Sequence, residues 1–209
     1  MFSVVTKNPV AVDSLDHISP MGAARDNSAL PEFNEKVLEI VAIRPMRLLD
    51  IGCAGGALVK SFIDMGQIAI GIEGSDYNKL HRRHEWATIP KNLFTADATK
   101  PFTVMEDGSA VKFDVVTTWE FFEHIHWNDL EVVMDNIQRH LKPGGLLIGS
   151  INTLTSGHAR YHQTVKPAEW WIDTLEKCGF VYRLDLWNVI DPYWVRKCRG
   201  SFCIVMQGG

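Results

Sequence analysis

The sequence predicts an α/β fold built on a doubly wound, seven-stranded, mostly parallel sheet whose last strand is antiparallel. Three observations carry that expectation. Apolar runs of strand length alternate with segments of helical period from residue 33 to residue 207. The first of these runs, "LLDIGCAGG" at 48–56, passes directly into small residues. A buried parallel strand does this where it enters a tight turn close to a bound ligand. The final two runs are joined without room for a long crossover helix, so they are expected to be antiparallel neighbours.

Residues 1–31, interrupted by Pro9, Pro20 and Pro31, read as an irregular arm with a short helix. In "PEFNEKVLEIVAI", Phe33, Val37, Ile40 and Val41 stand at helical spacing, with Pro31 at the start as helices permit. "MRLLDIG" is the first strand, "GALVKSFIDMG" a helix closed by Gly66, and "IAIGIEGS" the second strand. Strands follow at "NLFTADA" and "FDVVTTWE", then a helix at "DLEVVMDNIQRHL", the turn "KPGG" and the strand "LLIGSIN". The loop 153–167 leads to the helix "AEWWIDTLEKCG" and the strands "VYRLDLWNV" and "SFCIVMQ". No repeat, low-complexity segment or second domain interrupts the pattern, which divides into an arm or lid at 1–31 and one domain at 32–209.

With 209 residues, 46% of them hydrophobic and 22% charged, the chain can bury a core without metals or disulfides and is not expected to be disordered. A net charge of -4 argues against a polyanion as main partner, because nucleic-acid binders concentrate positive charge. The densest basic stretch, "RKCRG" at 196–200, reads as a solvated loop. Cys53, Cys178, Cys198 and Cys203 form neither a CxxC pair nor a ligand quartet, and no secretory pattern is present. Reduced thiols in the cytoplasm are the expectation. No apolar run approaches the ~20 residues needed to span a bilayer.

The candidate cofactor site starts at Asp50, Gly52, Cys53, Ala54, Gly55 and Gly56, at the carboxyl end of the first strand, where open α/β sheets bind ligands. The second strand ends "GIEGS", placing Glu73 about twenty residues on, where a carboxylate accepts hydrogen bonds from both hydroxyls of a ribose. Either NAD or another nucleoside cofactor satisfies Glu73, but the glycine spacing lacks the G-x-G-x-x-G step of dinucleotide sites.

"DIGCAGG", "GIEGS", "TADAT" and "LKPGG", in this order, resemble the motifs of the class I S-adenosylmethionine-dependent methyltransferases, over nearly all of 33–207. Ala54 stands where that family has its middle glycine. The resemblance implies a Rossmann-like fold and S-adenosyl-L-methionine as cofactor. It further implies that Asp97 accepts from the adenine amino group, that Ala98 supplies an amide nearby, and that the loop 52–56 lies along the methionyl part. Trp119 either packs near that tail or is a core aromatic.

"WEFFEHIHW" carries the chemistry. If a helical turn begins after Glu120, then Glu120, Glu123 and His124 stand at i, i+3 and i+4 and share one face, with Phe121 and Phe122 turned to the core. Two carboxylates and an imidazole there suit Mg²⁺ or another divalent cation. Alternatively, His124 contacts the acceptor as a base, with Glu123 beside it. The ExxEH pattern resembles both the ubiquinone-biosynthesis-type O-methyltransferases and the small-RNA 3′-terminal 2′-O-methyltransferases. By the former resemblance, the loop 153–167 covers the acceptor, with His158 or His162 completing a metal shell or shaping the pocket. His81, His84 and His140 read as surface residues.

These observations lead to an expected O-methyltransferase for a small hydroxylated molecule. The alternatives are RNA-terminal ribose methylation and a non-catalytic, cofactor-binding subunit.

Overall fold

A computed structural model describes residues 1–154, 160–193 and 200–209. The N-terminal segment contains strand β1 (Phe2–Thr6) and the short helices α1 (Leu15–Ile18) and α2 (Met21–Arg25). Helix α3 (Pro31–Val41) leads to β2 (Arg47–Ile51), α4 (Ala57–Asp64), β3 (Ile68–Glu73), α5 (Tyr77–Leu80) and β4 (Leu93–Thr95). Then come β5 (Phe102–Glu106), β6 (Ser109–Ala110), β7 (Phe113–Trp119), α6 (Leu130–His140) and β8 (Leu141–Asn152). The chain closes with α7 (Ala168–Lys177), β9 (Val181–Tyr182), α8 (Leu184–Ile190) and β10 (Ser201–Gln207).

Seven strands form one sheet in the order β4-β3-β2-β7-β8-β10-β9. The pairs within β4-β3-β2-β7-β8 are parallel, and β10 is antiparallel to both of its neighbours. The predicted fold class is therefore the observed one. Alternate residues of a strand face opposite sides, so Leu48 and Leu49 of β2 enter different cores. Phe33 and Val37 of α3 and Val59 and Phe62 of α4 cover one face. Val133 and Ile137 of α6 and Trp171 and Leu175 of α7 cover the other. Their three- or four-residue spacing puts each pair on one helix face, and each fully buried apolar side chain contributes about 1.5–3 kcal/mol.

Several local expectations are corrected. The arm is not irregular: β1 pairs antiparallel with β5 in a second, three-stranded sheet, and Ser14 caps α1 by accepting from Asp16 N at 3.2 Å. "VYRLDLWNV" contains only the two-residue β9 before α8, in which Trp187 N donates to Arg183 O at 2.8 Å. Burial of Ile190 and part-burial of Leu186 and Trp187 make one helical face from residues that also read as strand formers. "KPGG" lies inside β8 as an irregularity rather than in a separate turn. Between the pairs Phe113↔Leu141 and Val115↔Leu146, residues 142–145 bulge opposite Asp114, whose carboxylate binds Lys142 Nζ at 2.7 Å.

His140 is not on the surface. It is buried against Phe102, accepts from Val104 N at 3.0 Å through Nε2 and contacts Asn136 O at 2.7 Å through Nδ1. His81 is exposed as expected, while His84 is half-buried against Ala24 O at 3.0 Å. Among the described residues, no helix is long and apolar enough to cross a membrane.

Candidate active site

The parallel strands β2, β3, β4, β7 and β8 end at one edge of the sheet, and a cavity of ≈ 950 Å³ opens there. The arm passes over this edge and contributes Asp13, Asp16, Met21 and Arg25 to the wall. It is tied down by Ala11 N donating to Gly74 O at 2.9 Å, Asp97 N to Asn8 O at 2.9 Å, and Asn78 Nδ2 to Ala23 O at 2.6 Å.

Glu73, Asp97 and Ala98 all line this cavity. Glu73 accepts from Ala54 N at 2.8 Å on one carboxylate oxygen and from Ser75 N at 3.0 Å on the other. Burial raises its pKa, and the two amide bonds oppose that shift. A carboxylate has about four acceptor sites, so two bonds leave room for two more. Asp97 accepts from Thr99 N at 2.9 Å and Thr99 Oγ1 at 2.7 Å through Oδ1, which leaves Oδ2 outside that turn.

The loop after β2 behaves less uniformly than expected. Gly52 and Ala54 line the large cavity, and Asp50, Gly52, Cys53 and Trp119 line a small adjoining one of ≈ 20 Å³, room for about one water. Trp119 also lines the large cavity while packing edge-on against Phe33, so it belongs to the core and borders the candidate site. Gly55 and Gly56 reach neither wall. A Cβ at Gly55 would collide with Asn27 Oδ1 and lie 2.6 Å from Asp26 O, so its role is to let the arm approach. Gly56 has φ +91 at the start of α4 and serves the turn. The amides of Gly52 and Cys53 bond to Ile72 O, and that of Gly55 to Asp26 O, so the loop offers surface more than free donors.

At the end of β7 the predicted helical turn is replaced by a single 3₁₀ turn, Phe122–His124. Glu120 has φ 48, a left-handed conformation uncommon outside glycine, which stops the strand and turns the chain. Two serines hold it there. Ser150 Oγ donates to its Oε1 at 2.7 Å, Ser201 Oγ to Oε2 at 2.8 Å, and its own N–H reaches Ser150 O at 3.1 Å. Of the expected Glu120, Glu123, His124 set, Glu120 lines the large cavity but is not in the cluster of potential ligands found among the described residues: it precedes the turn, and its carboxylate accepts from Ser150 of β8 and Ser201 of β10.

A different cluster stands in its place. Ligand atoms of Glu123, His124 and His162 all lie within 4.8 Å of one another. The loop after β8 brings His162 in: Gln163 N and Thr164 N donate to Glu123 O at 2.7 and 3.1 Å, and Gln163 Nε2 to His124 O at 3.0 Å. His158 lies outside the described residues. Glu123 is fully buried; its Oε1 accepts from Asn152 N at 3.0 Å and its Oε2 has no hydrogen-bond partner. Burial and the Glu120 charge push the Glu123 carboxyl up to about 8, against the opposing effect of His124. Phe122 faces the core as expected; Phe121 packs partly buried against the same core and also lines the cavity beside Gly52.

His124 also lines the cavity. Burial would lower its pKa, but the hydrogen bond it donates to Asp16 and the charges of Asp16, Glu123 and Glu120 outweigh burial and raise it. Asp16 was not singled out from the sequence, and neither were Ser150, Asn152 and Ser201. No local pattern marks an aspartate in a proline-broken arm as the partner of a histidine beyond the fourth long strand.

The family model described as "Methyltransferase domain" matches residues 24–189. A ubiquinone biosynthesis O-methyltransferase of Cereibacter sphaeroides is 31% identical over 167 residues, covering 78% of this chain and 60% of the relative. One from Chelativorans sp. is 27% identical over 196 residues, covering 78% and 74%. The chain thus spans only 60% of the length of the Cereibacter relative. Among solved structures, the glycopeptide N-methyltransferase MtfA complexed with sinefungin superposes with a TM-score of 0.61 at 12% identity, covering 90% of this chain and 98% of that one. An S-adenosylmethionine-dependent methyltransferase from Clostridium acetobutylicum gives 0.61 at 13%, covering 93% and 96%. At these identities the structural likeness is one of fold.

Proposed function

Because the chain belongs to the methyltransferase domain family, we propose that it is an S-adenosylmethionine-dependent O-methyltransferase for a small hydroxylated acceptor. The observation that carries this reading is one cavity wall holding both a nucleoside-type acid pair, Glu73 and Asp97, and a potential proton acceptor, His124. At ≈ 950 Å³ the cavity is at the upper end of small-molecule sites, roomy enough for a cofactor with a second small ligand. The net charge of -4 and the small-molecule size of the cavity favour a small acceptor over nucleic acid. Cys53 and Cys178 carry free thiols, which suits a cytoplasmic setting.

In this reading Glu73 holds the ribose hydroxyls and Asp97 the adenine edge. S-adenosylmethionine supplies an activated methyl group on sulfur. Gly52, Ala54 and Trp119 shape the space for its amino-acid tail, and the closed arm excludes water. The protein's main contribution is alignment of donor and acceptor for in-line attack. His124 takes the acceptor's hydroxyl proton, worth roughly 10²- to 10⁴-fold in rate when a base is well placed.

A metal-assisted version is favoured by one observation, the unpartnered and fully buried Glu123 Oε2 beside two imidazoles. Glu123, His124 and His162 would hold a divalent cation, which lowers the pKa of a hydroxyl and orients it; His124 is then a ligand in place of the base. Two imidazoles and one carboxylate suit Mn²⁺, Fe²⁺ or Zn²⁺ better than Mg²⁺, which prefers oxygen ligands.

Calorimetry tests the cofactor assignment. Wild type should bind S-adenosylmethionine and its demethylated product, and Glu73→Ala should weaken both by tenfold or more, since charge-assisted hydrogen bonds contribute about 1.5–3 kcal/mol each. Tight binding of NAD, or no binding of either sulfur compound, would sink it. A screen of catechols, phenols and alcohols with methyl-labelled cofactor then identifies the acceptor.

A further inference from the structure

Asp16 and His124 are 108 positions apart, yet Asp16 Oδ2 lies 2.7 Å from His124 Nδ1. Both side chains are partly buried and both line the large cavity. Asp16 sits in the first turn of α1, with its backbone N–H capped by Ser14 Oγ. The segment carrying it is anchored on either side, by Ala11 N to Gly74 O before it and by Tyr161 Oη donating to Ser19 O at 3.0 Å after it. Tyr161 and His162 flank the same imidazole, with ring centroids 6.4 and 5.1 Å away.

We propose that Asp16 is the positioning residue of an Asp–His pair, holding the His124 ring through Nδ1–H so that Nε2 is the nitrogen left to take the acceptor's proton. A carboxylate on one ring nitrogen selects the tautomer, fixes the ring plane and stabilises the imidazolium formed when the other nitrogen is protonated. The bookkeeping closes within the site: the acceptor oxygen forms a bond to the methyl carbon, the carbon–sulfur bond breaks with its electron pair going to sulfur, and the hydroxyl proton ends on Nε2.

The placement of the two halves has a consequence. His124 stands on the turn after β7, and Asp16 on the arm that covers the strand ends. The oriented base is complete only while the arm lies across the cavity, so proton removal is tied to a covered site. The same arm carries Asp26, whose carbonyl binds Gly55 N at 2.9 Å in the cofactor loop. Cofactor loop, arm and base are therefore linked by direct hydrogen bonds.

This inference rests on the reading of His124 as base, and its test separates the two. With S-adenosylhomocysteine bound, wild type should give a protected, downfield Nδ1–H proton resonance, assigned to His124 by its loss in His124→Gln. It should vanish in Asp16→Ala. The near-isosteric Asp16→Asn guards against loss of the arm's fold. It should lower kcat for methylation of a catechol probe by about 10²-fold, with unchanged affinity for S-adenosylhomocysteine. In a His124→Ala background it should have no further effect. Persistence of the resonance in Asp16→Ala would overturn the proposal. So would a loss of cofactor affinity in Asp16→Asn as large as the loss of kcat, which marks a residue that only pins the arm. If His124→Ala leaves catechol methylation untouched while the resonance still depends on Asp16, the base reading fails and Asp16's part in catalysis goes with it.

Discussion

Ser201 Oγ donates a 2.8 Å hydrogen bond to the Glu120 carboxylate across 81 positions, joining the last strand to the turn that carries the site. Glu120 is thereby a structural acid, while Glu123, three residues on, keeps one buried carboxylate oxygen without a partner. Replacing each by its amide should separate these roles. Glu120→Gln should lower stability by about 1–3 kcal/mol, through weakened bonds to Ser150 and Ser201, and leave Mn²⁺ affinity unchanged. Glu123→Gln should have a mild effect on stability and reduce Mn²⁺ affinity more than tenfold, since a ligand is lost. Calorimetric titration of metal-stripped protein with Mn²⁺, Zn²⁺ and Mg²⁺ checks this, and equal loss of Mn²⁺ affinity in both variants would restore Glu120 to the donor set.

Ala54 has φ 46 and stands where the resembling family has glycine. A left-handed alanine costs roughly 1–2 kcal/mol, and glycine returns about 0.5–1 kcal/mol of that as chain entropy. Ala54→Gly should therefore raise stability by up to about 1 kcal/mol in denaturant unfolding. The hydrogen bonds of this residue to Glu73, Asn78 and Trp86 are all made by its backbone and survive the change. A marked loss of stability would show that the methyl group is packed rather than strained.

His140 links stability to pH. Burial lowers its pKa, opposed by its bond to Asn136, while the nearby Arg139 and Lys112 charges lower it further. The folded state thus resists protonation that the unfolded chain accepts below the ordinary value of 6.5. The sign follows: the unfolded state binds more protons, so this contribution is full above pH 6.5 and is lost as pH falls from there through the folded value. Chemical unfolding between pH 8 and pH 5 should show wild type losing stability over that window, with a shallower slope in His140→Gln. Parallel slopes would assign the acid sensitivity elsewhere.

The arm at 1–31 is proposed as the lid of the domain at 32–209. Saturating S-adenosylhomocysteine should slow backbone exchange at Ala11, Gly55 and Asp97, whose N–H groups bond across the interface between arm and domain. Exchange rates unchanged at all three would remove the lid role and leave the arm as a fixed wall.

Much of this fold could be read from the chain in one dimension because its signals are local. Strands β2, β3, β7 and β10 are short apolar runs, α3, α4, α6 and α7 repeat their buried residues at three or four positions, and both patterns follow from backbone geometry. Glu73 was legible for the same reason, since a residue that ends a parallel strand in an α/β sheet falls at its ligand-binding edge, whereas Asp97 was named from the family resemblance alone; both line the cavity. Where one segment satisfied two patterns, as in "VYRLDLWNV", burial against β10 and α3 decided for helix.

The identity of the acidic residues in the site depended on tertiary structure. Glu120, Glu123 and His124 have helical spacing in sequence, but the backbone at Glu120 is left-handed and its carboxylate is engaged by serines from β8 and β10, so the cluster that gathers is Glu123, His124 and His162. Nor does any local rule connect Asp16 to His124. Side-chain spacing specifies which residues share a face only once the backbone conformation is known, and that conformation was set here by hydrogen bonds from strands and an arm remote in sequence.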